Sequence, residues 1–409
     1  MNKKICLTIF LLFILTTSCV RNTPSPMAPN PTPQVEDEPT ESPSSTPPPT
    51  PTDSRLWVEE EITFNFGTND LYGILTVPSS EGPHPAIVLI SGSVDPSTGA
   101  RAGASANVHV NHAHKMVLDG FAVLRYDPPG VGQSTGERGF ESLDVRTEEA
   151  IAALRYMQSR PDIQQDRIGL WGGSQGAWVI AMAAAGYPQD VAFIISVSGS
   201  GVSVAEQQIY SIEAQSEDAG FSEKEIAKAV LIGRLMIDWQ LTDPIYQEVN
   251  EAEAQALGEG PWTSFMGLVY ESGDITPAEE LQQVIEILKS IQEEPWVKFL
   301  FLKELYIPQL ESIPPDQILS LKAVAGESLL IDPKDYLPQI QCPVLVIFGE
   351  KDLLQPTERS AALYEQYLTE GGNENFTIVV IPGVGHSLGG LVSTYWEAIS
   401  DWLGNLYSE

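Results

Sequence analysis

The sequence predicts an α/β protein: a mostly parallel central sheet flanked by helices, with an inserted helical segment late in the chain. Two observations carry this expectation. From Ala86 to Val197, short apolar runs that read as buried strands alternate with helix-length patterns, the order expected of parallel strands joined by helical crossovers. After Val197 the alternation stops and helical patterning fills the chain as far as Cys342, where two more strand patterns begin.

The elements follow in order. Val58 to Phe66 places Val58, Glu60, Ile62, Phe64 and Phe66 on one face, with Leu71 to Val77 as hairpin partner, and this pair reads as an antiparallel edge. Then come a strand at Ala86 to Ile90, a helix near Val108 to Leu118, a strand at Phe121 to Tyr126, a helix at Val145 to Gln158 and a strand at Arg167 to Trp171. An Ala-rich helix from Ala177 to Ala185 and a strand from Val191 to Val197 complete the first part of the core, residues 56–201. In the insertion, residues 202–335, Ser222 with Glu225 forms a capping box, and Phe221 with Ile226 a hydrophobic staple. Thr276 with Glu279 is a second box with Pro277 at the first helical position, and Leu281, Val284, Ile285, Leu288 and Ile291 follow at helical spacing. The second part of the core, residues 336–409, holds the strand patterns Pro343 to Gly349 and Phe376 to Ile381.

Between the strand ending at Trp171 and the helix starting near Ala177 stands Gly172-Gly173-Ser174-Gln175-Gly176. Such a G-x-S-x-G segment, set between strand and helix, is the pattern of a nucleophile elbow, in which a sharp turn lifts the serine hydroxyl above the sheet and the flanking positions must lack bulk. Ser174 is therefore the candidate nucleophile. A hydroxyl is weakly nucleophilic at neutral pH and needs a base, itself oriented by a third group. Of five histidines only His386 lies downstream of Ser174, in a Gly-rich loop directly after the strand pattern Phe376 to Ile381. A carboxylate is expected at the end of the strand Pro343 to Gly349, where Glu350 and Asp352 both stand; Asp352 is preferred and Glu350 is its competitor. The helix-initial amide of Gln175 supplies one donor for an oxyanion, and the loop Ser91 to Val94 supplies the second, assigned to Ser93.

These segments resemble the α/β-hydrolase superfamily, and within it bacterial serine carboxylesterases related to dienelactone hydrolases and acyl-peptide hydrolases. The resemblance runs from about Ile62 to Leu406. It rests on Ala86 to Ser93, Leu124 to Gly136 with Asp127-Pro128-Pro129-Gly130, Asp166 to Gly176, Val344 to Asp352, and Gly383 to His386. The chain order Ser174, Asp352, His386 is also that of the superfamily. Ser91 stands where the superfamily usually has the histidine of a His-Gly oxyanion motif, and Pro129 where an arginine is usual. Asp127 reads as a structural anchor of its loop. The resemblance implies an α/β-hydrolase fold, cleavage of small-molecule carboxylic esters of short to medium acyl length through an acyl-enzyme, and an insertion serving as a cap over the active site. An insertion that is only structural or an oligomer contact is the alternative. Its aromatics, Trp239, Tyr246, Trp262, Phe265, Trp296, Phe299, Phe301 and Tyr306, would suit an acyl or aryl pocket. A serine peptidase or acyl thioesterase would use the same triad, and a non-catalytic binding lipoprotein would have no physical need of all three groups.

The amino terminus addresses location. Lys3 and Lys4 precede an apolar run from Ile5 to Leu15, and Thr16-Thr17-Ser18-Cys19 follows. This reads as a signal peptide over residues 1–18, too short in its apolar part to span a bilayer, ahead of a lipidated Cys19. Thr16 departs from the leucine usual three residues before such a cysteine. Residues 19–55, rich in Pro, Thr and Ser, read as a tether that cannot bury a core. An exported lipoprotein at the cell surface or in the periplasm is expected, or a secreted protein if Cys19 carries no lipid. Cys342 would then be alone, so no disulfide framework follows.

Formal net charge is −33, which makes nucleic acid an improbable partner, and the 43% apolar content suffices for a large core. No dinucleotide fingerprint or P-loop stands in the chain, and no cofactor is expected. His109, His112 and His114 lack metal-ligand spacing, so packing or surface roles are expected of them and no metal.

Overall fold

A computed structural model describes residues 56–93, 100–137, 142–271, 273, 275–388 and 392–407. The expected signal segment, tether and Cys19 lie outside the described residues. Among those described, no helix is long and apolar enough to cross a membrane.

Eight strands form one sheet: β1 (Trp57–Phe66), β2 (Asn69–Pro78), β3 (His84–Ile90), β4 (Ala122–Tyr126), β5 (Ile163–Gly173), β6 (Ile194–Val197), β7 (Val344–Gly349) and β8 (Phe376–Ile381), in the order β1-β2-β4-β3-β5-β6-β7-β8. β1 and β2 pair antiparallel, and β2 pairs antiparallel with β4; every other pairing is parallel. The expected edge hairpin is therefore present, although Val58 faces solvent at the rim, where β1 has no strand on its outer side among the described residues.

Alternation along the inner strands sends residues to two apolar layers. Val88, Ile90, Leu170 and Val346 join one layer, with Ile151 and Leu154 of α2 (Leu143–Gln158) and Val179 and Ile180 of α3 (Gln175–Gly186). Ile87, Leu89, Trp171 and Ile347 join the other, with Ala113 and Met116 of α1 (Asn107–Met116) and Tyr395, Ile399 and Leu403 of the last helix (Ser393–Asn405). Helices on both faces leave the inner strands fully buried, which is why they read as continuous apolar runs.

Between β6 and β7 the described chain is mostly helical, beginning with α4 (Val204–Asp218) and α5 (Glu223–Gln240) and followed by further helical segments. Both capping boxes are formed, and Leu281, Val284, Ile285, Leu288 and Ile291 are all buried. The aromatics of this region divide in a way the sequence did not reveal. Trp239, Trp262, Phe265, Trp296 and Tyr306 are buried in the core these helices share, and Trp239 Nε1 donates to Glu280 at 2.8 Å. Tyr246, Phe299 and Phe301 are half-buried. The majority thus hold the helices together, because helices packed mainly on one another need large side chains to fill their shared interior.

His109 and His112 face the second layer. His109 Nδ1 donates to Gly103 O at 2.9 Å, and His112 Nδ1 to Val108 O at 2.6 Å. That tautomer leaves His112 Nε2 to accept from Tyr395 OH at 2.6 Å, and Tyr395 OH accepts from Trp171 Nε1 at 3.2 Å. His114 instead pairs with Glu59 at 3.0 Å near the surface. Burial pushes His109 down to about 4 and His112 to about 3. The unfolded chain takes up protons at both sites below about pH 6.5, whereas the folded chain does not until those lower values. Their contribution to stability is complete above pH 6.5 and declines as pH falls toward 4. Urea unfolding between pH 7 and 5, where carboxylates stay charged, should show stability falling by up to about 1.4 kcal/mol per pH unit for each histidine. Stability independent of pH across that interval would contradict neutral burial of the pair.

Candidate active site

The parallel register brings three loop starts to one end of the sheet. Gly173 lies beside Val197, Val197 beside Ile347, and Gly349 beside Ile381. The segments that follow Gly173, Gly349 and Ile381 carry Ser174, Asp352 and His386, so residues far apart in sequence emerge from the same rim.

Ser174 has φ 54° and ψ −123°. A non-glycine residue in that region is strained and persists only where its surroundings impose it. Here the neighbouring glycines allow it: a Cβ on Gly172 would lie 2.3 Å from Gly176 O, and one on Gly176 would lie 2.7 Å from Ile90 O and 2.8 Å from Ser91 O. Strand, turn and helix approach more closely than any side chain would permit. α3 starts at Gln175, so the amide of that residue has no carbonyl of its own helix to bond.

His386 Nδ1 donates to Asp352 Oδ2 at 2.7 Å, which fixes the tautomer and leaves Nε2 to accept from Ser174 Oγ at 2.9 Å. Asp352 is buried and held from several sides: Oδ1 accepts from Leu354 N at 2.8 Å and Gln355 N at 3.3 Å, and Oδ2 also accepts from Gln355 Nε2 at 3.2 Å. Glu350, the competitor, is exposed and accepts from Gly383 N at 2.7 Å, so it staples the histidine loop and does not touch the imidazole. A serine, a neutral imidazole and an ionised carboxylate in this order can pass a proton from hydroxyl to ring while the carboxylate stabilises the resulting charge.

Ser93 is half-buried in the loop after β3. Its neighbour Gly92 runs beside the nucleophile, since a Cβ there would lie 3.6 Å from Ser174 Cβ. Asp127 lies in the loop after β4, accepting from Ala104 N at 2.7 Å and from Gln133 N at 2.9 Å, and Gly103 and Gly132 leave room for its carboxylate. It anchors two loops and does not contact the triad residues.

Four further residues that no sequence motif marks contribute here. Ser198, at φ 51°, donates through Oγ to His386 O at 2.8 Å. Its signal was available, as a small polar residue directly after the strand next to the elbow. Tyr210 of α4 donates to Asp352 O at 3.1 Å, and Gln207 of the same helix donates to Leu354 O, tying the inserted helices to the acid's loop. Arg146 of α2 is buried and donates to Gln175 Oε1, Ser91 O and Gly92 O. A charged residue on the helix face that also carries Leu143, Ala150, Ala153 and Met157 was the sign that it had buried partners.

The sheet order, the strained serine between strand and helix, and the aspartate and histidine from the loops after β7 and β8 define the class of fold: the chain has an α/β-hydrolase fold. A family model described as serine aminopeptidase, S33, matches residues 100–264, which include Ser174 but neither Asp352 nor His386. An uncharacterized 31.7 kDa protein of Escherichia coli, from the traX-finO intergenic region, is 26% identical over 291 residues, covering 71% of this chain and 80% of that one. Acyltransferase drtE of Aspergillus calidoustus is 25% identical over 257 residues, covering 60% of this chain and 65% of the other. Among solved structures, the alpha/beta hydrolase GrgF from Penicillium sp. sh18 is similar with a TM-score of 0.47 and 21% identity, over 86% of this chain and 98% of that one.

Proposed function

We propose that the chain is a serine hydrolase of carboxylic esters that works through an acyl-enzyme. The observation that carries this reading is the continuous relay from Ser174 Oγ to His386 Nε2 at 2.9 Å and from His386 Nδ1 to Asp352 at 2.7 Å. Ser174 Oγ attacks the ester carbonyl as His386 takes its proton, and the Gln175 and Ser93 amides receive the developing oxyanion. His386 then protonates the departing alkoxide, and a water deprotonated by the same ring releases the acid.

In this reading residues 202–335 cap the site, with the bonds from Tyr210 and Gln207 to the Asp352 loop in support. Such a cap encloses the acyl chain, so turnover rises with chain length by burial of about 0.8 kcal/mol per methylene until the pocket is full. A panel of nitrophenyl esters of increasing acyl length, with aminoacyl anilides and acyl thioesters beside them, tests the reading. Esters of short to medium acyl length should be turned over fastest. The match to serine aminopeptidases favours a second reading, cleavage of an amino-terminal peptide bond by the same triad; anilides outpacing every ester would establish it in place of the first.

The reading also locates the enzyme outside the cytoplasm on a lipid at Cys19, supported by the charged, apolar and small-residue succession from Lys3 to Cys19. Cys19→Ser should move the protein from the membrane to the soluble fraction with its turnover unchanged. Retention on membranes would exclude a lipid at that cysteine.

A further inference from the structure

We propose that Arg146 is the positioning residue that sets both arms of the oxyanion site; this rests on the serine-hydrolase reading above. The two donors of that site come from different parts of the fold, the Ser93 amide from the loop after β3 and the Gln175 amide from the start of α3. The β3–β5 ladder joins the two strands as far as Ile90 and Gly172, and Arg146 joins the segments that follow. Its Nη1 donates to the side-chain Oε1 of Gln175, and its Nη2 donates to Ser91 O and, at 3.0 Å, to Gly92 O.

The bond to Gly92 O has a direct consequence for Ser93, because the carbonyl of Gly92 and the amide of Ser93 belong to one peptide unit. That unit is trans, the cis bond among the described residues being Gly82-Pro83. In a trans peptide the C=O and N–H point in opposite directions. A guanidinium that holds the carbonyl on its own side therefore turns the Ser93 N–H the other way, and withdrawal of electrons from the carbonyl oxygen makes that N–H a stronger donor. The Gln175 bond fixes the residue whose backbone amide is the other donor. Planarity matters here: one rigid fork reaches a side-chain amide and two successive carbonyls at once, which an ammonium on a flexible stem cannot reproduce. Burial of the cation keeps these bonds from exchange with water. These three bonds go to backbone and to Gln175, not to the relay, so through them Arg146 sets where the oxyanion binds and leaves proton transfer untouched.

The test compares wild type, Arg146→Met and Arg146→Lys on an aryl oxoester and the matching thionoester, in which sulfur replaces the carbonyl oxygen. Sulfur is larger and a weaker acceptor, so an intact oxyanion site favours the oxoester strongly and a misplaced one does not. Both variants should lose about a hundredfold in kcat on the oxoester, the loss typical of one oxyanion donor, with KM little changed. The oxoester-to-thionoester rate ratio should fall at least tenfold, and the pH dependence set by His386 should stay where it was. A merely structural role would lower both substrates alike, and an unchanged ratio in a folded variant overturns the proposal. If Arg146→Met does not fold, Arg146→Lys, which keeps the buried charge, decides by the same ratio. A wild type that hydrolyses no oxoester refutes the ester reading and this inference with it, whereas an active wild type with a ratio indifferent to Arg146 refutes the inference alone.

Discussion

Ser174→Ala and His386→Ala are each expected to lower ester turnover by roughly four to six orders of magnitude while leaving the fold intact, and the double variant should be no slower than either. Non-additivity follows from the geometry. His386 is useful only if Ser174 gives up its proton through the 2.9 Å contact, and the hydroxyl is ineffective without that acceptor. Asp352→Asn should lose about ten-thousandfold, since an amide cannot stabilise the imidazolium and its NH₂ would favour the wrong tautomer. Steady-state kinetics on a nitrophenyl ester, with circular dichroism to verify folding, reads all of these. Near-normal turnover in His386→Ala would mean that the relay is not the catalytic machinery.

Gly172→Ala is expected to lower turnover too, by less and by a different route. The added methyl would sit 2.3 Å from Gly176 O and 2.6 Å from Gly176 C. Both are backbone atoms at the start of α3, so relief requires strand and helix to separate. Overpacking of this kind costs about 1–3 kcal/mol, visible as a lower Tm. The larger effect is on kcat, because displacement of a reacting group by about 1 Å costs on the order of a hundredfold. Gly186→Ala is the control, since a Cβ there meets nothing within 4 Å, and it should retain both stability and turnover. Equal behaviour of the two variants would show that the elbow tolerates bulk at Gly172.

What is local was legible in the chain. Strand and helix periods were legible because the inner strands bury both faces, the edge strand β1 buries one, and most helices bury one, so composition repeats with the geometry. The capping boxes at Ser222 and Thr276 and the stripe from Leu281 to Ile291 could be read because partners three or four residues apart meet in any helix. The elbow was legible for a similar reason: its glycines answer to steric demands made largely within a few residues.

Which distant groups meet depends on how the elements pack. Glu350 and Asp352 follow the same strand and carry the same chemistry, and only the motif context preferred Asp352. Packing separated them, burying Asp352 against His386 Nδ1 and leaving Glu350 exposed on the Gly383 amide. Arg146 reaches its carbonyl partners across 55 and 54 residues, and Tyr210 reaches Asp352 across 142. Such pairings depend on sheet register and helix docking, which set the positions of all side chains at once and leave no period in the chain. The aromatics of the inserted helices show the same limit: tryptophan suits a ligand pocket and a helix interior equally well, and only the packing of those helices on one another placed Trp239, Trp262 and Trp296 in the interior.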